Sequence, residues 1–175
     1  MAYLLDANVF IEGRKRHFAF DICPGFWDWL ARETAAGSVR SIEQVGIELR
    51  AGTDDLATWA SDRGDEFFLP ADAPMLPSLQ AVSAWVTTQG YTPAAVNTFL
   101  QIADYYLVAR AHAHGDIVVP HEIGGQGRSR VKIPDACIGM GVRFMNPFDM
   151  LRMERVRFVL ARGGMVDQSI LSRII

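Results

Sequence analysis

Cysteine is scarce in this sequence, and so is any excess of positive charge. The two cysteines, Cys23 and Cys137, stand far apart with no C-x-x-C pairing. That excludes a disulfide framework and a zinc ribbon and leaves two ordinary core thiols. Seventeen basic residues against twenty acidic ones give a net charge of -3, so no global basic field marks a nucleic-acid binder, and any anionic partner must be held locally. No stretch approaches the roughly 18 apolar residues of a membrane span. The first apolar run, Ala2 to Leu5, has no basic leader, so no signal peptide is expected and a reducing cytoplasm is the natural address. The chain also lacks a G-x-S-x-G elbow, a complete Walker A motif and a G-x-G-x-x-G after a strand, which removes serine-hydrolase and nucleotide-binding readings.

What is present is a chain of 175 residues, half of them hydrophobic and 21% charged, enough for one domain with a real core. Tyr3 to Ile11 opens as a continuous apolar run, which suits a strand buried on both faces, with Asp6 at its C-terminal end. Pro24 to Gly37 reads as a helix with Phe26, Trp29 and Leu30 on one face, and Ser38 to Ser41 as a short strand. Ser41 and Gln44 fit a capping box that starts a helix at Ile42, stopped by Gly52. Asp54 to Arg63 is a further helix, Glu66 to Leu69 a strand, and Ser78 to Gln89 a helix. Thr92-Pro93 starts a helix expected to run unbroken to His114. Asp116 to Pro120 repeats the buried-strand pattern, Gly124 to Lys132 is a basic loop, Pro134 starts a short helix, Val142 to Met145 reads as a last strand, and Asn146-Pro147 caps a C-terminal helix. Strands alternating with helices predict an α/β fold, a central, mainly parallel sheet covered on both faces. A domain over 1–162 and a tail over 163–175 are expected, the tail's Ile170, Leu171, Ile174 and Ile175 packing on the body or on a partner.

Several carboxylates sit where water should be scarce. On a continuous helix, Asp104 shares its face with Leu100, Leu107, Val108 and Ala111, and an unpaired acid there costs several kcal/mol unless a cation, donors or a shifted pKa relieves it. Asp6 follows an apolar strand and is joined two residues on by Asn8, at the strand end where open sheets bind ligands. Glu48 projects about 60° from Val45, on the shoulder of its helix's apolar face. Glu122 lies just past the strand that ends at Pro120, and Asp135 beside the proline that opens a short helix. Carboxylates converging on one cleft repel unless a divalent cation neutralises them, and oxygen-only ligands point to Mg²⁺ or Mn²⁺. Two basic patches, Arg14-Lys15-Arg16-His17 and Arg128-Ser129-Arg130-Val131-Lys132, suit a phosphate backbone. His112 and His114 project about 200° apart on their helix and cannot share a metal. The aromatic and methionine clusters describe core packing.

Y-L-L-D-A-N-V-F-I, Glu48 on an early helix, A-D-Y-Y-L-V-A-R-A around Asp104 and D-I-V-V-P-H-E leading to Glu122 together resemble the PIN-domain nucleases over residues 3 to about 150. The resemblance implies a three-layer α/β/α fold and metal-dependent hydrolysis of RNA, often by the toxin of a bacterial toxin-antitoxin pair of the VapC type, with RNA, an antitoxin and a second copy of the chain as partners. It carries over Asp6, Glu48 and Asp104 as the first three acids. For the fourth, Pro120-His121-Glu122 stands where such nucleases usually carry Asp or Asn, and K-I-P-D-A-C makes Asp135 the competitor, as in a less characterised PIN-like branch. The metal would be held by Asp6, Asp104 and either Asp135 or Glu122, Glu48 would handle the attacking water, and Asn8, Arg128, Arg130 and Lys132 would bind substrate. Two alternatives stand beside this reading: an inactive PIN-like module that binds RNA or protein, and a nuclease acting on DNA.

Overall fold

The structure, a computed structural model, describes residues 1–125 and 127–159. The expected domain boundary after residue 162 and the tail 163–175 lie outside the described residues. Strand β1 (Tyr3–Leu5) leads into α1 (Ala7–Glu12) and a π-helical turn, Gly13–His17. There follow α2 (Pro24–Ala35), β2 (Val39–Ile42), α3 (Glu43–Arg50), α4 (Asp55–Ser61) and β3 (Phe68–Leu69). The chain continues through α5 (Met75–Thr88), α6 (Pro93–Phe99), α7 (Ala103–His114), β4 (Ile117–Val119), α8 (Ile133–Met140) and α9 (Pro147–Met153). The strands pair in parallel in the order β3-β2-β1-β4. On the central strand, Leu4 is partnered by Arg40 on one side and Val118 on the other.

Both β1 and β4 are buried at every residue, as the continuous apolar runs predict for strands covered on two faces. The strand order explains the covering. From β1 to β3 the chain steps one way across the sheet, and from β3 to β4 it returns to the far side of β1. Right-handed crossovers then put the helices of the two legs on opposite faces, giving a three-layer α/β/α fold. The reversal falls between β1 and β4, which stay paired to their last residues, and the connections that leave their C-terminal ends diverge there, the place where open sheets bind ligands.

Local chemistry sets most element ends. Thr92 Oγ1 accepts the Ala95 N–H at 3.2 Å and is followed by Pro93 at the first helical position, and Asn146 Oδ1 accepts the Asp149 N–H at 2.9 Å. Gly139 lies against the Trp85 ring so closely that no side chain fits there, which docks α8 onto α5. Among the described residues, no helix is long and apolar enough to cross a membrane. Cys23 and Cys137 are both free, as expected.

Three expected elements come out differently. The helix expected from Pro93 to His114 is two helices, broken at Leu100–Ile102, with Ile102 in an extended conformation as the N-cap of α7. Phe99 and Ala103, on either side of the break, are both buried. The capping box at Ser41 does not form: Ser41 belongs to β2 and its hydroxyl donates to the Leu5 carbonyl at 2.6 Å, so α3 starts at Glu43 without a side-chain cap. The last strand is reduced to a single bridge between Val118 and Phe144, because the chain crosses the edge of β4 only briefly before Asn146 starts α9.

Candidate functional site

The crevice beyond β1 and β4 is where the acids meet. Asp6 ends β1 and is the N-cap residue of α1, without a capping bond from its side chain. It is 1% exposed, and the side-chain amide of Asn8 donates to its Oδ2 at 3.3 Å. Burial raises its carboxyl to about 6, with the Asn8 amide pulling the other way and the charges of Glu122 and Glu48 adding to the rise. Asp104 sits in the first turn of α7, where helix N–H groups favour an ionised acid. Burial outweighs that and raises it to about 7, helped by the negative charges of Asp6, Glu122 and Glu48 and opposed by Arg130. Burial also raises the Glu48 carboxyl.

Above these groups lies a cleft of about 500 Å³ walled by Asn8, Gln44, Ile47, Glu48, Gln101, Ile102, Ala103, Asp104 and Arg130. It opens between α3 and the break that separates α6 from α7. Glu48 and Asp104 thus line one cleft with Arg130, and the negative charges of Asp6 and Glu122 also act on Asp104. Arg130 Nη2 lies 3.5 Å from Glu122 Oε2 while its side chain stays 64% exposed.

The structure separates the two candidates for the fourth acid. Glu122 acts on both Asp6 and Asp104, and its Oε1 accepts the Ile133 N–H at 2.7 Å, which fixes it at the start of α8. Asp135 takes a different part: its carboxylate accepts the Gly125 N–H at 3.2 Å, and the phenol whose ionisation its charge opposes is that of Tyr91. It does not figure among the charges that act on Asp6 or Asp104.

The basic residues divide as well. Arg14 pairs with Asp54 at 3.2 Å and Asp55 at 2.6 Å, and Arg16 with Glu12 at 3.0 Å, so both arginines of the first patch have partners in the fold. In the second patch, Arg128 donates to the Gln89 carbonyl and Lys132 to the Ile123 carbonyl at 2.8 Å. Both are tied to the loop they support, leaving Arg130 and Asn8 as the expected substrate-binding residues that line the acidic cleft. Gln44, Ile47, Gln101 and Ile102 also line it and escaped the sequence reading. The signal that finds them is the helix break, which no glycine or proline marks.

His112 and His114 have separate structural partners, Ser78 Oγ at 2.8 Å and the carboxylate of Asp72 at 2.9 Å. Beside Glu122, His121 stacks on His17 at 5.4 Å between ring centroids, and its buried Nε2 has no hydrogen-bond partner. A larger cleft, about 1020 Å³, lies between the Asp21–Trp29 region and residues 154–159. Glu154 there is engaged by the Tyr3 hydroxyl at 2.7 Å, and the cleft gathers none of the coupled acids.

The donor set in the crevice is oxygen only and suits a hard divalent cation in kind. Its spacing is more open than that of a formed site: among the described residues, no three His, Cys, Asp or Glu side chains stand close enough to hold one ion. Asp6 and Asp104 are short side chains on packed backbone, and Glu122 is held by the Ile133 N–H, so the rotatable stem of Glu48 is the part freest to close the gap.

No curated protein and no solved structure matches the chain. A family model does, over residues 3–158, a span that takes in all five candidate acids. The chain belongs to the family described as a domain of unknown function, DUF4411.

Proposed function

We propose that the chain is a PIN-like, metal-dependent nuclease that hydrolyses RNA phosphodiester bonds, with Mg²⁺ or Mn²⁺ held by Asp6, Asp104 and Glu122. The observation that carries this reading is the acidic cleft itself: Glu48 of α3 and Asp104 of α7 line it together with Asn8 and Arg130, Arg130 reaches Glu122 at 3.5 Å, and the buried Asp6 is held by the Asn8 amide. A fold keeps such a repulsive cluster at its ligand-binding edge only if something of opposite charge completes it.

When bound, the ion would neutralise these carboxylates, polarise a phosphate oxygen and make water more acidic. Glu48, its carboxyl raised by burial, is suited to accept a proton from the attacking water. That oxygen attacks phosphorus, the bond from phosphorus to the 3' oxygen breaks, and the leaving oxygen takes a proton from solvent. The products carry 5'-phosphate and 3'-hydroxyl ends. Asn8 orients substrate through its side-chain amide, and Arg130 exchanges Glu122 for a phosphate oxygen.

The wider open spacing of the acids favours a second reading, a PIN-like module that binds RNA without cutting it. Incubation of RNA, single-stranded DNA and duplex DNA with Mn²⁺ or EDTA separates the readings. The nuclease reading expects Mn²⁺-dependent cleavage of RNA, lost in Asp104→Asn. Intact RNA at every Mn²⁺ concentration, with binding retained, supports the second reading, and cleavage of DNA alone moves the activity to another substrate. The cellular role we propose, a cytoplasmic toxin held in check by an antitoxin, rests on the PIN resemblance. It predicts growth arrest on expression that Asp6→Ala abolishes and the neighbouring reading frame relieves.

A further inference from the structure

The acidic cleft continues past Arg130. Ile102 and Arg130 wall both that cleft and a second cavity of about 370 Å³, formed between α6 and residues 129–131. The second cavity has no acid in its lining. Phe99 and Ala95, 1% and 4% exposed, contribute its buried apolar surface, and Thr98 and Ser129 add hydroxyls. Its size is near the lower end of the ~300–1,000 Å³ usual for small-ligand pockets, room for one planar ring system rather than a stack of them.

Apolar walls with hydroxyls and a guanidinium nearby match a nucleobase, which has flat apolar faces and a polar edge. Arg130 strengthens the match because of where it stands. With Ile102 it is a shared wall of the two cavities, its side chain is 64% exposed, and its ion pair among the described residues is a long one to Glu122. A phosphate joining a base in the second cavity to the bond cut in the first would have to pass it.

We infer that the cavity between α6 and residues 129–131 takes one unpaired nucleobase of a single-stranded RNA, next to the phosphate that is cut, with Arg130 holding the linking phosphate. The inference rests on the nuclease reading for its substrate. A base can enter such a cavity only when freed from its pair and its stack, so duplex RNA is refused and base preference at one position flanking the cut is decided here.

Thr98 is exposed on α6, so Thr98→Trp fills the cavity from its rim without entering the core, and Ala94→Phe, one turn earlier on the same face, does so independently. RNA binding is measured by fluorescence anisotropy in the presence of Mg²⁺, in a Glu48→Gln background that prevents turnover. Mn²⁺ affinity and the sequence around each cut are measured with Glu48 intact. Each filling variant should weaken binding of single-stranded RNA about tenfold, leave Mn²⁺ affinity unchanged, and erase base preference at one position beside the cut. Unchanged RNA affinity and an unchanged cutting pattern in both variants overturn the inference, as does equal affinity for duplex RNA. If RNA binding is sensitive to Thr98→Trp but wild-type protein never cuts, the base pocket stands and the hydrolase reading falls. If no RNA binds at all, both fall.

Discussion

Two buried aspartates mark the two ends of the parallel sheet, and they are treated in opposite ways. Asp116, 8% exposed at the N-terminal end of β4, accepts the backbone N–H of Ala2 at 2.7 Å and so ties the first strand to the last. Asp6, 1% exposed at the C-terminal end of β1, has only the 3.3 Å amide of Asn8 as a side-chain partner and faces the negative charges of Glu48 and Glu122. The same side chain is a structural link at one end and an unneutralised charge at the other. Elsewhere the fold does match acids with cations, as in Asp72 with Arg110 at 3.3 Å. Among the described residues Asp6 and Asp104 have neither such an ion pair nor a long-range backbone donor like the Ala2 amide at Asp116, and that distinguishes one end of the molecule.

Substitutions at the two ends should have opposite consequences. Asp6→Asn or Asp104→Asn should lower RNA hydrolysis roughly 100-fold or more while leaving the metal-free melting temperature unchanged or higher, because a repelling charge is removed. Asp116→Ala should leave turnover per folded molecule intact and cost about 1–3 kcal/mol of stability by orphaning the Ala2 amide. Steady-state kinetics and thermal melts on the same preparations test both halves, and equal stability losses at the two ends would erase the comparison.

The pH dependence of metal-free stability sharpens it. The Asp6 carboxyl moves from 3.8 to about 6, and at about 1.4 kcal/mol per unit its ionised form costs the fold about 3 kcal/mol. Asp104 reaches about 7. Both shifts are upward, so the folded chain holds protons that the unfolded chain has already released, and stability falls as pH rises from about 4 through 7. Melts in EDTA should thus show wild type losing stability over that range relative to Asp6→Asn. A wild type that gains stability over the same range would mean that these acids are neutralised within the chain.

A smaller difference separates Glu122 from Asp135. Glu122→Gln keeps an acceptor for the Ile133 N–H and should still lower activity about tenfold, whereas Asp135→Asn, at the Gly125 loop, should change it less than threefold. Reversal of that order would return Asp135 to the site.

The sequence makes the site more legible than the path of the backbone around it. Asp6 can be found because an acid at the end of a buried strand has no cheap explanation, and Asp104 because its apolar neighbours isolate it. Asp104 opens a new helix instead of continuing one through Leu100, and it is still partly buried because Leu107, Val108 and Ala111 share its face. The break at Leu100–Ile102 is illegible in the sequence because neither a glycine nor a proline marks it. The different surroundings of Glu122 and Asp135 are equally hidden, for they depend on how the loop after β4 folds back to the Ile133 amide, a contact eleven residues away in the chain.

Calorimetric titration of the metal-free protein with Mn²⁺ tests most directly whether Asp6 and Asp104 serve a common ion. Saturable binding that is lost in Asp6→Asn and in Asp104→Asn, and kept in Asp116→Ala, is the result expected here. Absence of binding to the wild type, or binding unaffected by either cleft substitution, would contradict it.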